Sequence, residues 1–132
     1  MKRINRILLV DDDEPTNFLN KHIINKYELA EEIVVKHNGA QALEYLTTAV
    51  DGKYPTPDII LLDINMPVMD GYGFMQQYES LIPNLAKKIT VYILSSSVDL
   101  VDFDKTKKIN QVTDYIVKPI RDNQLTRILA EL

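Results

Sequence analysis

The stretch PDIILLDINMPVMDGYG, Pro57–Gly73, decides the fold. Its apolar run Ile59–Leu62 shows no polar alternation, which is typical of a strand buried on both faces of a parallel sheet. Asp63 ends this run, and a proline and an Asp-Gly pair directly behind it indicate a loop. Because ligands bind at the carboxyl ends of strands in open α/β sheets, Asp63 stands where a functional site is expected.

Length and composition fit one globular domain. The chain has 132 residues, of which 45% are hydrophobic, enough for a sizeable core. It has no cysteine, which excludes a disulfide framework, a thiol nucleophile and a cysteine-based zinc site. No apolar run is long enough for a membrane span, and the N-terminal residues turn acidic too early for a signal-peptide core. We therefore expect one cytoplasmic domain over residues 1–132, with no output domain.

The net charge and the spacing of the basic residues indicate which classes of partner to expect. The net charge is −4, and the basic residues are scattered, whereas nucleic-acid binding favours a clustered basic patch. We therefore expect no nucleic-acid and no membrane partner. Another protein is the expected partner, and a monomer is the expected form.

Strand-like and helical segments alternate along the chain. The five predicted strands are Ile4–Val10, Ile33–Val35, Ile59–Asp63, Thr90–Leu94 and Tyr115–Val117. Helices are predicted from Glu14 to about Tyr27, after Gly39, after Gly73 to about Ile82, over Leu100–Lys108, and after Asp122 as its N-cap. Right-handed crossovers then give a doubly wound parallel sheet covered on both faces. The segment Thr47–Pro57 is long for a connection and is predicted to be a surface loop.

The first predicted helix has an apolar stripe. We expect Leu19 and Ile23 on its inward face, with Ile24 beside them. Asn17, Asn20 and Lys21 are expected to point outward, and Phe18 and His22 to border the stripe. Phe18 therefore has two interpretations, partial burial in the core or contact with a docking protein.

Polar residues follow the strands and meet at one edge of the predicted sheet. The acids Asp11–Asp13 follow the first strand; three adjacent acids are not expected in a core. Asp63, Ser95 and Lys118 end later strands, so they converge with Asp11 and Asp12. Crowded carboxylates need a cation, and Mg²⁺ prefers oxygen ligands together with a phosphate. The set predicts a phosphate-binding, metal-assisted site with Asp63 as candidate nucleophile.

Four motifs together resemble the response-regulator receiver domains of two-component signalling. They are LLVDDD at Leu8–Asp13, LLDINMPVMDG at Leu61–Gly71, ILSS at Ile93–Ser96 and YIVKPI at Tyr115–Ile120. The resemblance covers essentially the whole chain. It implies the flavodoxin-like five-stranded order 2-1-3-4-5 and a single-domain receiver similar to the chemotaxis regulator.

The resemblance assigns the metal site. It implies that Asp63 is the phosphoacceptor and that Asp12 binds Mg²⁺, or Mn²⁺ in its place, directly. Asp11 would lie close by and act partly through water, and Asn65 would contribute its backbone carbonyl. Asp63 would also contact the ion. The third acid, Asp13, is expected to act only at the start of the helix.

The resemblance also assigns the phosphate contacts and the switch. Ser95 would take the switch-hydroxyl position, and Ser96 would offer its backbone N–H to the phosphoryl group. Lys118 would pair with the phosphate, and Tyr115 would be the aromatic switch residue. A phosphoryl group adds about −1.5 to −2 charges, enough to bias a bistable loop.

The implied function is that of a signalling phosphoacceptor, not an enzyme, although it assists its own phosphorylation and dephosphorylation. A histidine kinase or phosphotransfer protein would supply the phosphoryl group, and an unidentified downstream protein would read it. A phosphohydrolase of the haloacid-dehalogenase type is a rival hypothesis, but Asn65 stands where that class has its general acid. A degenerate receiver that acts only as an interaction module is a further hypothesis, and so is a flavodoxin-like cofactor binder.

Overall fold

The fold is a five-stranded parallel sheet in a computed structural model that describes residues 4–81, 89–95, 109, 112–118 and 120–131. The strands are β1 (Ile4–Val10), β2 (Ala30–Lys36), β3 (Ile59–Asp63), β4 (Thr90–Ser95) and β5 (Val112–Val117). The helices within the described residues are α1 (Glu14–Lys26), α2 (Gly39–Thr47), α3 (Gly71–Leu81) and α4 (Asp122–Ala130). The order β2-β1-β3-β4-β5, with every neighbouring pair parallel, confirms the predicted topology. The predicted helix Leu100–Lys108 lies outside the described residues.

The unbroken apolar run of β3 explains its central position. All five residues of β3 are buried, because helices cover both faces of the sheet. Ile59 and Leu61 join a core cluster with side chains of α1 and α4, and Ile60 and Leu62 join a second cluster with side chains of α2 and α3. Each fully buried aliphatic side chain contributes roughly 1.5–3 kcal/mol, so β3 stabilises both layers.

The strand register places the functional ends of the strands side by side. Val10 pairs with Leu62, so the residues that follow each of them, Asp11 and Asp63, are neighbours at the sheet edge. Asp63 in turn pairs with Leu94, and Ser95 pairs with Val117. The carboxyl ends of β1, β3, β4 and β5 therefore form one edge, as the sequence predicts.

The predicted inward face of α1 is wrong in its first turns. Asn17 and Asn20 are buried, whereas Leu19 is 53% exposed and Phe18 is 71% exposed. Ile23 and Ile24 are buried as predicted. The reason is that the first turns of α1 pack against main-chain groups of the strand-end loops, which hydrogen-bond amide side chains, and only the later turns meet the apolar core.

Element ends differ from prediction in small ways. Asp13 caps α1 as expected, because its carboxylate accepts a hydrogen bond of 3.1 Å from the backbone N–H of Thr16. Asp122 is the first residue of α4 and not its N-cap. The N-cap is Arg121, whose N–H donates to the Gln124 side chain at 2.9 Å. Strands β2 and β5 are longer than predicted. Ala30 and Glu32 pair with β1 at the start of β2, and Val112 and Asp114 pair with β4 at the start of β5.

The connection between α2 and β3 is a surface loop, as predicted. Val50 and Lys53 form an antiparallel bridge, and Asp51 and Gly52 between them adopt positive φ angles of 54° and 80°. Left-handed backbone suits an Asp-Gly pair in a tight turn. No helix in the described part of the chain is both long enough and apolar enough to cross a membrane.

Candidate functional site

Three carboxylates meet at the carboxyl edge of the sheet. Asp11, Asp12 and Asp63 each offer an oxygen, and these oxygens all lie within 4.8 Å of one another. Asp12 is exposed, Asp63 is 4% exposed and Asp11 is fully buried. The expectation that none of the adjacent acids sits in the core is therefore wrong for Asp11.

Lys118 explains how Asp11 can be buried. Its ammonium Nζ lies 3.0 Å from Asp11 Oδ2 and 3.2 Å from Asp63 Oδ1, and its side chain is only 11% exposed. A buried charge needs a partner of opposite sign, and this cation serves both carboxylates. The pairing joins β5 to β1 and β3, three strands that are far apart in sequence.

Main-chain hydrogen bonds fix the segments that carry these side chains. Lys118 N–H donates to the carbonyl of Ser95 at 2.6 Å, which ties the end of β5 to the end of β4. Asp11 N–H donates to the carbonyl of Lys36 at 3.0 Å and fixes the start of the acidic loop. The structure thus brings Ser95, which is fully buried, to the same edge as Lys118, as predicted.

The electrostatics of the site centre on Asp63. Burial, followed by the charge of Asp11, raises the pKa of Asp63 to about 6. Lys118 and a hydrogen bond from the backbone N–H of Asn65 act in the opposite direction. For Lys118, burial alone would lower the pKa, but its hydrogen bond to Asp11 and the charges of Asp63 and Asp11 raise it. The three carboxylates therefore carry more negative charge than the Lys118 ammonium neutralises.

This donor set fits a small divalent cation. Mg²⁺ and Mn²⁺ favour carboxylate, carbonyl and water oxygens, and Mg²⁺ typically uses few protein carboxylates. Asp11, Asp12 and Asp63 supply such oxygens from one cluster, with Asp12 on the exposed side. A cation there would offset the repulsion from Asp11, which adds to the effect of burial on the pKa of Asp63. Among the described residues this is the acidic cluster with metal-binding geometry.

The remaining predicted site residues are Asn65, Tyr115 and Ser96, and they differ in burial and in whether the structure describes them. Asn65, two residues after Asp63, is exposed. Tyr115 is half-buried on β5 and packs against the core on the α2 and α3 side, which matches its expected strand position. Ser96 lies outside the described residues. The role of Tyr115 as a switch stays a prediction.

Gly71 holds the start of α3 directly against the end of β3. A Cβ atom added there would lie 2.7 Å from the carbonyl oxygen of Asp63 and 2.9 Å from Cα of Ile64. Gly71 N–H also donates to the carbonyl of Ile64 at 2.8 Å. The acidic site and α3 therefore share a contact that only glycine fits.

We predict that Gly71→Ala lowers the free energy of unfolding by about 2 kcal/mol, because both clashing atoms belong to the backbone and cannot rotate away. Gly73→Ala is the matched control, since its added Cβ would meet only side-chain atoms, at 3.2 Å and 3.5 Å. In a helix that control is neutral or stabilising by up to about 1 kcal/mol. Urea unfolding of both variants checks this, and equal values for the two would contradict the steric argument.

Sequence reasoning missed Asn17 and Asn20 as residues of the site region. Asn17 Nδ2 donates to the carbonyl of Asp11 at 2.9 Å, and Asn20 Oδ1 accepts from Ile120 N–H at 3.4 Å. A signal was present, because Asn17, Asn20 and Ile24 follow helical i, i+3, i+7 spacing and share one face. The prediction was wrong because it assumed that asparagine side chains on a helix point to solvent.

Comparison with known proteins gives the family. The model of the response regulator receiver domain matches residues 7–130. Chemotaxis protein CheY of Thermotoga maritima is 31% identical over 129 residues, which is 96% of this chain and 96% of that protein. A protein-glutamate methylesterase/protein-glutamine glutaminase of Caldanaerobacter subterraneus is 34% identical over 119 residues, which is 90% of this chain but only 30% of that protein.

A solved structure agrees with the sequence matches. The two component response regulator from Cytophaga hutchinsonii superposes with a TM-score of 0.84 at 34% identity, and the match covers 98% of this chain and 97% of that one. The predicted family and fold are confirmed, and the phosphohydrolase hypothesis gains no support from these matches. With a family model over residues 7–130 and an acidic cluster at the expected strand ends, this chain belongs to the response regulator receiver domain family of two-component signalling.

Proposed function

We propose that Asp63 of this receiver accepts a phosphoryl group in a reaction that depends on Mg²⁺ or Mn²⁺. The observation that carries the proposal is the placing of Asp63. It is 4% exposed at the end of β3, shares a 4.8 Å cluster with Asp11 and Asp12, and lies 3.2 Å from the ammonium of Lys118. A nucleophilic carboxylate with a cation on one side and metal ligands on the other suits an aspartyl-phosphate intermediate.

The metal would be held by Asp11, Asp12 and Asp63, with the backbone carbonyl of Asn65 as a further oxygen. Asp12 offers the most accessible carboxylate of the three, which suits direct binding. When bound, the ion supplies positive charge that stabilises the phosphoryl oxygens during transfer. The carboxylates hold it in place and keep it next to the nucleophile.

The transfer itself uses the side chains of the sheet edge. A carboxylate oxygen of Asp63 attacks the phosphorus atom, and the bond from phosphorus to the donor atom breaks as the new bond forms. Lys118 then pairs with a phosphoryl oxygen as well as with Asp11. Ser95 donates its hydroxyl hydrogen to a second phosphoryl oxygen. Ser96, outside the described residues, is assigned a backbone N–H contact with the phosphoryl group by the resemblance alone. These contacts add local charge-assisted hydrogen bonds.

The signal follows from the added charge. A phosphoryl group brings about −1.5 to −2 charges to an edge that already has excess negative charge, so loops that carry donors reorganise around it. Tyr115, half-buried on strand β5, is our candidate for the residue that reports this change at the surface. The output is a changed protein-binding surface and not a turned-over substrate.

The partners we propose are a histidine kinase or phosphotransfer protein upstream and a further protein downstream, all in the cytoplasm. Phe18 supports a protein partner near the site. It is 71% exposed on α1, the helix that starts directly behind the acidic cluster. Val68, in the loop behind Asp63, is 86% exposed. Two exposed apolar side chains beside a polar site suit a contact with a phosphodonor protein.

The decisive experiment is intact-mass spectrometry after incubation with acetyl phosphate and Mg²⁺. The wild type should gain the mass of one phosphoryl group, the gain should vanish with EDTA, and Asp63→Asn should not be modified. Asp51→Asn, the same chemical change at an exposed turn, is the matched control and should be modified normally.

Three different outcomes would contradict the proposal. If the wild type gains no mass, or Asp63→Asn gains the same mass, the phosphoacceptor proposal is wrong, and the first result would support a module used only for interaction. Steady release of phosphate from a phosphate monoester, abolished by Asp63→Asn, would instead indicate a phosphohydrolase.

A further inference from the structure

Two buried asparagines on α1 connect both ends of the Asp11–Lys118 ion pair to a single helix. Asn17 is 2% exposed and Asn20 is fully buried. Both lie in the first turns of α1, where a core helix would ordinarily present apolar side chains. The next turn on the same face, Ile23 and Ile24, is apolar. The inward face of α1 therefore changes from polar to apolar at the point where the helix leaves the site region.

Each asparagine contacts the main chain of a different site segment. Asn17 Nδ2 donates to the carbonyl of Asp11 at 2.9 Å, in a fully buried hydrogen bond. Asn20 Oδ1 accepts the N–H of Ile120 at 3.4 Å. Because proline has no N–H, Ile120 carries the first main-chain donor after Lys118 in the sequence. Helix α1 thus hydrogen-bonds the backbone of Asp11, in the acidic cluster, and the backbone two residues after Lys118.

Stability alone is a poor reason for these two side chains. The remaining amide atoms, Asn17 Oδ1 and Asn20 Nδ2, are buried and have no hydrogen-bond partner within the described residues. A buried polar atom without a partner costs free energy, so the one hydrogen bond that each amide makes is offset by the atom that it leaves unpaired. What the amides gain is a defined position for two loops, which an apolar side chain cannot provide.

We propose that Asn17 and Asn20 are positioning residues for the reaction, an inference that rests on the proposed function. Asn17 sets the backbone of Asp11, and so the place of one carboxylate of the metal site. Asn20 sets the backbone behind Lys118, and so the place of the ammonium that lies 3.2 Å from Asp63. The two residues act on different parts of the reaction although they are one helical turn apart.

The test is a comparison of Asn17→Ala and Asn20→Ala, with Asn25→Ala as control, because Asn25 is exposed on the same helix. Two quantities are measured on protein that is folded by circular dichroism: the Mg²⁺ dissociation constant by calorimetry, and the rate of phosphorylation by acetyl phosphate at saturating Mg²⁺. Loss of a residue that orients a metal ligand typically weakens metal affinity by about 10–100-fold.

The expected result is a split between these quantities. Asn17→Ala should raise the Mg²⁺ dissociation constant by about tenfold. Asn20→Ala should leave that constant within about twofold of the wild type and slow phosphorylation at saturating Mg²⁺ by about tenfold. A purely structural role would lower stability without producing this split. The proposal would be overturned if Asn17→Ala and Asn20→Ala had the same Mg²⁺ dissociation constant and phosphorylation rate as Asn25→Ala. It would also be overturned if both variants lost Mg²⁺ affinity and phosphorylation rate to the same extent.

A further measurement needs no variant to fold. In the wild type, the Ile120 amide should exchange with deuterium slowly, because it is buried and bonded to Asn20. Exchange at the rate of an unstructured peptide would overturn the assignment of Asn20. If the wild type takes no phosphoryl group, the proposed function fails, and the positioning proposal is then decided by the Mg²⁺ affinity of Asn17→Ala and the Ile120 exchange rate.

Discussion

Lys118→Met lowers the free energy of unfolding by about 3–5 kcal/mol near neutral pH without divalent metal. The reason is that this ammonium, 11% exposed, is the cation shared by two buried carboxylates, Asp11 and Asp63. Methionine keeps most of the side-chain volume but leaves both carboxylates without a positive partner. Urea unfolding in EDTA measures the loss.

The matched control for this change is Lys26→Met. Lys26 pairs with Asp122 at 3.3 Å, but both side chains are more than half exposed, so the pair is worth less than about 1 kcal/mol. We expect saturating Mg²⁺ to stabilise Lys118→Met more than the wild type, because the ion replaces the missing charge. Equal losses for Lys118→Met and Lys26→Met would contradict a central role of Lys118.

Asp63→Asn has the opposite effect and raises the free energy of unfolding of the metal-free protein by about 3 kcal/mol near pH 8. The pKa of Asp63 is raised from 3.8 to about 6, chiefly by burial, and each pKa unit corresponds to about 1.4 kcal/mol. Asparagine has nearly the same shape but no charge to bury. The residue that we propose as the phosphoacceptor therefore destabilises the metal-free fold.

The sign of the pH dependence follows from the direction of this shift. Because its pKa is higher in the folded protein, Asp63 contributes stability that is fully present below pH 3.8 and is lost as the pH rises through about 6. Asp63→Asn lacks this dependence, so its advantage over the wild type should be smaller near pH 5 than near pH 8. Asp51→Asn, at an exposed turn, should differ little from the wild type at either pH.

Unfolding curves of the three proteins at the two pH values, all in EDTA, check this prediction. An advantage of Asp63→Asn that grows toward acidic pH would show that the pKa shift of Asp63 has the opposite sign. Added Mg²⁺ should stabilise the wild type and should do so less for Asp63→Asn, because one ligand oxygen has lost its charge.

The sheet and its functional edge could be predicted from the sequence because each strand and its end are encoded in a short stretch of neighbouring residues. The continuous apolar run of β3 indicates a central strand, and the polar residues behind each strand indicate the site edge. Parallel topology then brings Asp11, Asp63 and Lys118 together without any knowledge of distances. The rule that the carboxyl ends of parallel strands meet at one edge therefore predicts which side chains lie close together, but not which atoms pair.

The wrong predictions are of burial, at Asp11 and in the first turns of α1, where burial depends on contacts between residues far apart in sequence. The acidic run predicts Asp11 near the surface, but its burial depends on Lys118, which no local pattern around Asp11 reveals. Hydropathy alone predicts Leu19 inside and Asn20 outside, whereas the surface facing the first turns of α1 is main chain and selects amides. Burial of a polar side chain follows from its partner, and the partner lies elsewhere in the sequence.

The ion pair between Asp11 and Lys118 joins positions 107 residues apart. Contacts of such high sequence separation form only after much of the chain has been ordered, since the loop they close is nearly the whole molecule. A nascent or nicked chain that lacks β5 would therefore carry Asp63 without its cation. If Asp63 accepts a phosphoryl group as proposed, such an incomplete chain would lack the Lys118 cation that the reaction uses and would not be phosphorylated efficiently.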